Sequence, residues 1–409
     1  MYLASVTRPA ASGTATKIVA GNVVALGTVS LITDISSEMV SAVLPLYLVL
    51  SLQLSPLSYG LLDGIYTGAT AILRIVGGFV ADKFRHRKLV AGLGYGLSAL
   101  AKLGLLLAGR STGALGFVIA TDRMGKGLRT APRDALITLS TPEGALGRAF
   151  GVHRMMDSVG AFLGPLVAMA VLTVAAQSYD AVFVTSFCIA ALGVVVLVLF
   201  VHDRRGTLAA QPIRLKDAAR IPGLGKLALV AVLLGLATIG DGFLFLLLQK
   251  RDDLSLIWFP LLAVGTSLAY LVLATPIGAL ADRIGRVPVF LAGYAVLTVT
   301  YLLLASGASA WLILVLYGLF YACTDGILMA LAGPVLPEHL RTTGIAVIQT
   351  GQAVAYLGSS VLFGLAWQTI GSTPAIFAAA LTAVIALAAT ALVLRRFAAT
   401  TPAVAAEDR

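Results

Sequence analysis

Charged residues are scarce in this chain, and their scarcity limits the classes to which it can belong. Only 12% of its 409 residues are Asp, Glu, Lys or Arg, whereas a soluble domain carries about 25%. Hydrophobic residues make up 59% of the chain, and the mean hydropathy is +0.96. A chain of this composition cannot cover itself with polar groups. We therefore exclude an ordinary soluble protein and expect a lipid bilayer as its surroundings.

Cysteine and histidine are also rare. Cys188 and Cys323 are the only cysteines, and both lie in apolar runs, which predicts buried apolar residues rather than a disulfide or a metal pair. The four histidines are scattered through the sequence. There is no metal-ligand cluster, nucleophile elbow or phosphate loop. The sequence therefore predicts no metal, no cofactor and no enzymatic activity.

Long apolar runs dominate what remains. Runs such as Leu89–Ala108 and Ala181–Val201 have the length of a membrane-spanning helix, which is about 20 residues. They lack the period-two alternation of a transmembrane β-strand. The pattern predicts an all-α integral membrane protein with twelve spans, at 18–50, 57–81, 89–109, 113–137, 147–176, 180–201, 226–250, 256–281, 287–307, 311–335, 343–369 and 373–395.

The basic residues predict the orientation of these spans. The net charge of +10 lies in short loops, which indicates membrane topology rather than nucleic-acid binding. Lys and Arg concentrate in alternate loops, so both termini are predicted to be cytoplasmic, in a plasma or inner membrane. The one long charged connection divides the spans six and six. The predicted parts are an N-terminal tail (1–17), a first half (18–201), a central loop (202–225), a second half (226–395) and a C-terminal tail (396–409).

Short motifs recur at equivalent places in the two halves. Gly78-Phe-Val-Ala-Asp82-Lys83 returns as Gly278-Ala-Leu-Ala-Asp282-Arg283, each time between two apolar runs. Two further motifs have partners: Thr121-Asp122 matches Thr324-Asp325, and Arg148-x-x-Gly151 matches Arg341-x-x-Gly344. Two parallel six-helix halves are a known transporter plan.

The duplicated loop resembles the signature of the major facilitator superfamily, and the resemblance covers essentially the whole chain. It implies two pseudo-symmetric six-helix bundles around a central cavity, with the loops as a cytoplasmic gate. Arg85 stands where the family usually has glycine, which leaves the turn of the first loop uncertain. The gate residues carried over are Gly78, Asp82, Lys83, Arg87, Lys88, Gly278, Asp282, Arg283 and Arg286.

Ionisable residues inside spans are costly and therefore point to function. Asp34 and Glu38 are one helical turn apart, and like charges this close favour proton binding by one of them. Arg123-x-x-x-Gly127 resembles the family's fourth-span motif, whose arginine is associated with proton coupling. The predicted proton-coupling network comprises Asp34, Glu38, Asp122, Arg123, Lys126, His153, Arg154 and Asp157.

Some of these charges have a second interpretation. Each acid could be neutralised by a basic partner that only holds helices together. Arg129 and Arg133 either extend the network toward the cytoplasm or act as gate or interface charges facing headgroups. His153 is either a proton relay or a hydrogen-bonded structural residue.

The predicted fifth span carries Gly160-x-x-x-Gly164-Pro165, which resembles the family's antiporter motif and favours export. The alternative is a small-residue packing face for the neighbouring half. The predicted second half holds fewer charges, and its possible substrate-facing residues are Asp241, Tyr321, Asp325, Gln349 and Gln352. The alternative for these is helix packing and interfacial anchoring.

The sequence thus predicts a secondary active transporter of small organic molecules that works by alternating access. Proton-coupled export is favoured, and the expected partners are the substrate, protons and the bilayer, for a monomer. Proton-coupled uptake of an anionic solute, with the basic residues binding the substrate, is the alternative. A non-transporting receptor or a membrane enzyme is a lower alternative, since a duplicated gate has no obvious use there.

Overall fold

The fold is known from a computed structural model that describes residues 21–69, 86–203, 221–333, 335–337 and 341–400. Every regular element in these ranges is a helix. The predicted gate residues Gly78, Asp82 and Lys83 lie outside the described residues, as does Arg85.

The described helices follow the predicted spans closely. Spans 1 to 6 are Gly21–Leu46, which continues as a π-helical turn at Tyr47–Ser51, then 56–69 (its described part), Arg87–Leu107, Thr112–Leu139, Leu146–Val174 and Tyr179–Phe200. Spans 7 to 12 are Leu224–Asp252, which consists of two helices, then Pro260–Ile284, Arg286–Ser306, Ala310–Ala332, Arg341–Ile370 and Ser372–Thr400.

Ten of the described helices are long and apolar enough to cross a membrane. Span 4 has the required length but carries six ionisable residues. The charged side chains of this helix therefore need partners from the surrounding protein rather than contact with lipid. This concentration of charge makes span 4 the first candidate for the functional site.

Two predicted boundaries differ from the structure. Arg87 and Lys88 were placed in a loop, but they are the first two residues of span 3. The last helix continues past Arg395 to Thr400. Spans 4 and 6 each begin after a serine that caps the helix. Ser111 and Ser178 accept hydrogen bonds from the backbone amides of Ala114 and Ala181, respectively.

The chain divides into two compact units. The first contains the described residues from 21 to 203 together with Gly242–Val264, and the second contains residues 221–241 and the described residues from 265 to 400. In the first unit span 1 packs on spans 5 and 6, and span 3 packs on spans 4 and 6. In the second unit the first helix of span 7 packs on spans 11 and 12, and span 9 packs on spans 10 and 12. The same pairs recur six spans later, as expected for two related six-helix bundles.

Span 7 is broken, although the sequence predicted one continuous helix at 226–250. Its first helix ends at Ala237, and its second begins at Asp241. The Tyr301 hydroxyl donates to the carbonyl of Ala237 (3.1 Å) and accepts from the amide of Ile239 (2.9 Å). A tyrosine from span 9 therefore satisfies backbone groups that the break leaves without helical partners.

Candidate functional site

Span 4 carries a row of charged side chains along one face. Positions 122, 126, 129 and 133 are spaced by three or four residues, so a helix places them on the same side. From Asp122 to Asp134 this row extends about 18 Å along the helix axis, at 1.5 Å per residue. Its partners come from spans 1, 2, 3 and 5 of the same unit.

The first cluster in this row surrounds Asp122. Its carboxylate accepts a hydrogen bond from Ser98 (2.5 Å), lies 3.3 Å from Lys102 Nζ, and pairs with the guanidinium of Arg123. The Tyr66 ring lies 3.8 Å from Arg123 Cζ, in a cation–π contact. Two bases thus share one acid in the interior of the unit.

A small cavity adjoins this cluster. It has a volume of about 20 Å³, and its polar lining is formed by Ser37, Tyr66, Lys102 and Asp122. A cavity of this size has room for about one water molecule. The rest of its lining is apolar and comes from Val40, Leu44, Ala101, Leu105, Val118 and Ile119, so the charged groups meet it at one edge only.

The second cluster joins span 4 to span 1. A guanidinium nitrogen of Arg129 lies 3.5 Å from Asp34 Oδ1, and Arg129 Cζ lies 4.5 Å from the centre of the Tyr95 ring. Glu38, one turn from Asp34, accepts a hydrogen bond from Ser41 (2.7 Å). Lys126 makes no ion pair within 4.0 Å among the described residues. It interacts electrostatically with both Asp34 and Glu38.

The third cluster lies where spans 1, 4 and 5 meet. Arg133 pairs with its neighbour Asp134 (3.0 Å), and its NH1 lies 3.3 Å from Ser30 Oγ and 3.9 Å from Asp157 Oδ2. His153 contacts Ser30 through Nε2 (3.0 Å) and lies 3.6 Å from Asp157 through Nδ1. Hydrogen bonds and ion pairs therefore connect all three spans at this point.

The three clusters together are close to electrically neutral. The buried or half-buried acids are Asp34, Glu38, Asp122, Asp134 and Asp157, and the corresponding bases are Lys102, Arg123, Lys126, Arg129 and Arg133. Five acids therefore face five bases without any charge on His153. Burial of ionisable groups is tolerated when they are paired in this way.

This set differs from the predicted one in several members. Arg129 and Arg133 belong to the network, so the interpretation of these two as headgroup-facing charges is wrong for the structure described. Lys102 and Asp134 were missed. Arg154 was included, but its side chain is 70% exposed and lies 4.0 Å from Asp157, at the edge of the network.

Glycines bring span 5 directly against the acids of span 1. A Cβ on Gly160 would lie 2.5 Å from the carbonyl oxygen of Leu31, and one on Gly164 would lie 2.6 Å from Glu38 Cβ. Pro165 is buried beside them. The antiporter-like motif thus packs within its own unit, and the alternative of a packing face for the neighbouring half is wrong for these two glycines.

The described residues of the predicted gate hold spans together within each unit. Lys88 donates from Nζ to the carbonyl of Val198 (2.8 Å) and from its backbone amide to Asp203 (3.3 Å), which fastens span 3 to the end of span 6. Arg87 beside it is buried. In the second unit Asp282 pairs with Arg286 at 3.8 Å, while Gly278 and Arg283 stand at the same end of span 8.

The second unit contains one compact polar cluster. The hydroxyls of Tyr317 and Tyr321 both donate to Asp241 Oδ1, at 2.8 and 2.5 Å. Asp241 begins the second helix of span 7, so the two tyrosines of span 10 meet the chain at the break. Tyr317 is not among the predicted residues, and the break at which it contacts Asp241 contains no proline that could have indicated it from the sequence.

The other predicted residues of the second unit lie apart from this cluster. Asp325 is exposed and interacts with Tyr270. Gln349 is exposed, and Gln352 is half-buried on span 11. The Gln352 backbone carbonyl packs against Gly235 of span 7, where a side chain would collide with it.

Comparisons with known proteins agree with this architecture. Residues 26–265 match the sequence profile of the Major Facilitator Superfamily. An uncharacterized MFS-type transporter of Methanocaldococcus jannaschii is 32% identical over 363 residues, which cover 85% of this chain and 88% of the relative.

Two solved structures share the fold at low sequence identity. The nucleoside transporter NupG has a TM-score of 0.77 at 15% identity, over 91% of this chain and 99% of its own. A bacterial homolog of the human lysosomal transporter Spinster has a TM-score of 0.74 at 16% identity, over 93% and 98%. The chain belongs to the Major Facilitator Superfamily, a family of membrane transporters rather than enzymes.

Proposed function

We propose that this transporter exports a small organic molecule in exchange for protons. The observation that carries the proposal is the buried network of five acids and five bases on spans 1, 3, 4 and 5. Apolar side chains of similar volume would hold these helices together at least as well. We therefore assign the charges to a function that needs proton binding inside the membrane.

In alternating access, the role of this network is to link proton binding to the change between the two facing states. A proton drives transport only if it binds one facing state more tightly than the other, and the substrate must discriminate between the same two states. Acids that exchange one basic partner for another meet this requirement, because their affinity for a proton depends on which partner is near. The close packing of Gly160 and Gly164 on span 1 transmits such a change between helices.

Uptake of an anionic solute is the second candidate, and one residue favours it. Lys126 is a half-buried cation with no ion pair within 4.0 Å among the described residues, so it is available to bind an anion. Arg123, which the same interpretation required, is committed to Asp122. Uptake also required Arg154, whose side chain is 70% exposed and lies 4.0 Å from Asp157. The anion would therefore be held by Lys126 and Arg154 without the arginine of the fourth-span motif, and for this reason we favour export.

A pH-jump assay on purified protein in proteoliposomes distinguishes the two. A thermal-shift screen of organic cations and organic anions at two pH values first selects a compound that stabilises the protein. That compound is then placed at equal concentration inside and outside the vesicles, and the outside is acidified. Exit of the compound accompanied by proton entry supports exchange. Accumulation of the compound together with protons overturns it in favour of uptake.

Variants show whether the network is responsible. Asp34→Asn and Arg123→Ala are expected to abolish proton-coupled flux. Arg251→Ala is the control, since Arg251 pairs with Asp252 at the end of span 7, outside the network. Unchanged flux in both network variants would contradict the proposal.

A further inference from the structure

Asp157 is the acid of the network with the poorest set of partners. Its Oδ1 is buried and accepts no hydrogen bond within the described part of the chain. Its Oδ2 faces three nitrogen atoms, but all lie beyond hydrogen-bond distance: His153 at 3.6 Å, Arg133 at 3.9 Å and Arg154 at 4.0 Å.

The other four acids differ in this respect. Each accepts at least one hydrogen bond within 3.5 Å: Asp34 from Arg129, Glu38 from Ser41, Asp122 from Ser98 and Asp134 from Arg133. A buried ionised carboxylate without hydrogen bonds is unfavourable, whereas the neutral acid costs far less to bury. The arrangement around Asp157 therefore fits a protonated carboxyl group.

Charges from three spans surround this group. Span 1 contributes Asp34, span 4 contributes Arg129 and Arg133, and span 5 contributes His153 and Arg154. Arg133 and Arg154 lie 3.9 and 4.0 Å from Asp157 Oδ2, just too far to form hydrogen bonds with it. The protonation of Asp157 thus depends on how close these side chains are, as a coupling site requires.

We propose that Asp157 carries the exchanged proton, and that Arg133 moves from Asp134 to Asp157 when the proton leaves. The inference rests on the proposed function and adds to it the residue that binds the proton and the contact that responds. Asp34 and Asp122 remain in ion pairs throughout.

Arg133 is placed for this exchange of partners. Its Nε and NH2 hold Asp134, while NH1 already points toward span 5, where it meets Ser30 and Asp157. A movement of about 1 Å brings NH1 from 3.9 Å to ordinary hydrogen-bond distance from Asp157. Since Arg133 lies on span 4 and Asp157 on span 5, the exchange changes how these helices are connected.

The proton leaves through neighbouring groups. The O–H bond of Asp157 breaks, and the electron pair remains on the carboxylate that Arg133 then contacts. The step uses the His153 tautomer that carries its hydrogen on Nε2, which lies 3.0 Å from Ser30 Oγ. The proton passes to the lone pair of Nδ1, and from the imidazolium to water. One proton is released per cycle, and His153 returns to its neutral form.

Infrared spectroscopy of the purified full chain in lipid tests the inference without a substrate. The carboxylic acid C=O stretch is recorded across a pH titration. We expect a component that disappears as the pH rises in the wild type and is missing from Asp157→Asn at every pH. Asp34→Asn is the matched control and should keep the component, because Asp34 already has Arg129 as its partner. A component that is kept in Asp157→Asn, or lost in Asp34→Asn, overturns the proposal.

A second variant leaves Asp157 in place and tests the exchange of partners. In Asp134→Asn, Arg133 no longer has its neighbouring carboxylate and can pair with Asp157 at once. The ionised form of Asp157 gains a partner, so the component should disappear at lower pH than in the wild type. An unchanged or higher titration point overturns the exchange by Arg133. If Asp157 titrates as expected but no compound drives proton flux in proteoliposomes, the proposed function fails while the assignment of the proton site stands.

Discussion

Arg129 of span 4 lies 3.5 Å from Asp34 of span 1, and the guanidinium also covers the ring of Tyr95. Only 3% of the Arg129 side chain is exposed, so the pair is desolvated. Loss of one member of such a pair leaves the other as an uncompensated buried charge, at a cost of about 3–5 kcal/mol. The pair is therefore a test of whether the network is also needed for stability.

The two single variants of this pair should differ in their dependence on pH. Arg129→Gln leaves Asp34, which can take a proton, so its loss of thermal stability should be smaller at acidic than at alkaline pH. Asp34→Asn leaves Arg129, which cannot lose its proton, so its loss should be independent of pH over the same range. Thermal unfolding in detergent measures both. A loss of equal size at both pH values in Arg129→Gln would show that Asp34 has other partners.

The glycines of span 5 allow a controlled test of helix packing. Gly160→Ala and Gly164→Ala each place a methyl group against span 1, where backbone or Cβ atoms lie within 2.6 Å of its position. Overpacking of this kind costs about 1–3 kcal/mol. We expect both variants to unfold at lower temperature and to lose transport.

Gly151→Ala in the same helix is the control, because a Cβ there meets no atom within 4 Å. It should be neutral or stabilising by up to about 1 kcal/mol, since alanine favours helix more than glycine does. If Gly151→Ala were as harmful as Gly160→Ala, helix propensity or local flexibility would be responsible rather than contact with span 1.

The sequence predicted the fold because the signals for it are local. Runs of about 20 apolar residues mark spans, and the duplicated Gly-x-x-Ala-Asp motif marks the two halves. The partners within the site are not local. Lys102 lies in an otherwise apolar run, and only the packing of span 3 on span 4 brings it to Asp122.

The members of the network outside the predicted set had a usable signal on span 4 but none elsewhere. Arg129 and Arg133 follow Lys126 at helical spacing, so a helix necessarily places them on the same face as the predicted residues. Tyr66 and Ser30 are ordinary residues in apolar helices, and the sequence does not show what they contact. The break in span 7 was also missed, because it contains one glycine and no proline and is held by tyrosines from distant spans.

Two bases share Asp122, so we expect removal of one base to cost less thermal stability than removal of the acid. Lys102→Met leaves Asp122 paired with Arg123, so we expect a modest loss of thermal stability. Asp122→Asn leaves Lys102 and Arg123 without their acid, and it should be clearly more destabilising. The double variant should recover part of that loss, since only one charge then remains. Thermal unfolding of the three variants checks the order. A double variant less stable than Asp122→Asn would contradict this account of the cluster.

The Asp241 cluster predicts energetic coupling across the break in span 7. Tyr321→Phe removes a hydrogen bond to a carboxylate, which contributes about 1.5–3 kcal/mol. In an Asp241→Asn background the same change should cost much less, because the charged acceptor is already gone. The difference between the two effects is the coupling energy of the pair.

Tyr294→Phe is the matched control for this cycle. Its hydroxyl lies 3.4 Å from the carbonyl of Val230 and accepts from Thr390, with no contact to Asp241. Its cost should therefore be the same in both backgrounds. Equal costs for Tyr321→Phe in both backgrounds would mean that the hydroxyl does not stabilise Asp241. The break would then depend on Tyr301, which holds the backbone at Ala237 and Ile239 from span 9, and on Tyr317, whose hydroxyl lies 3.3 Å from the carbonyl oxygen of Ile239.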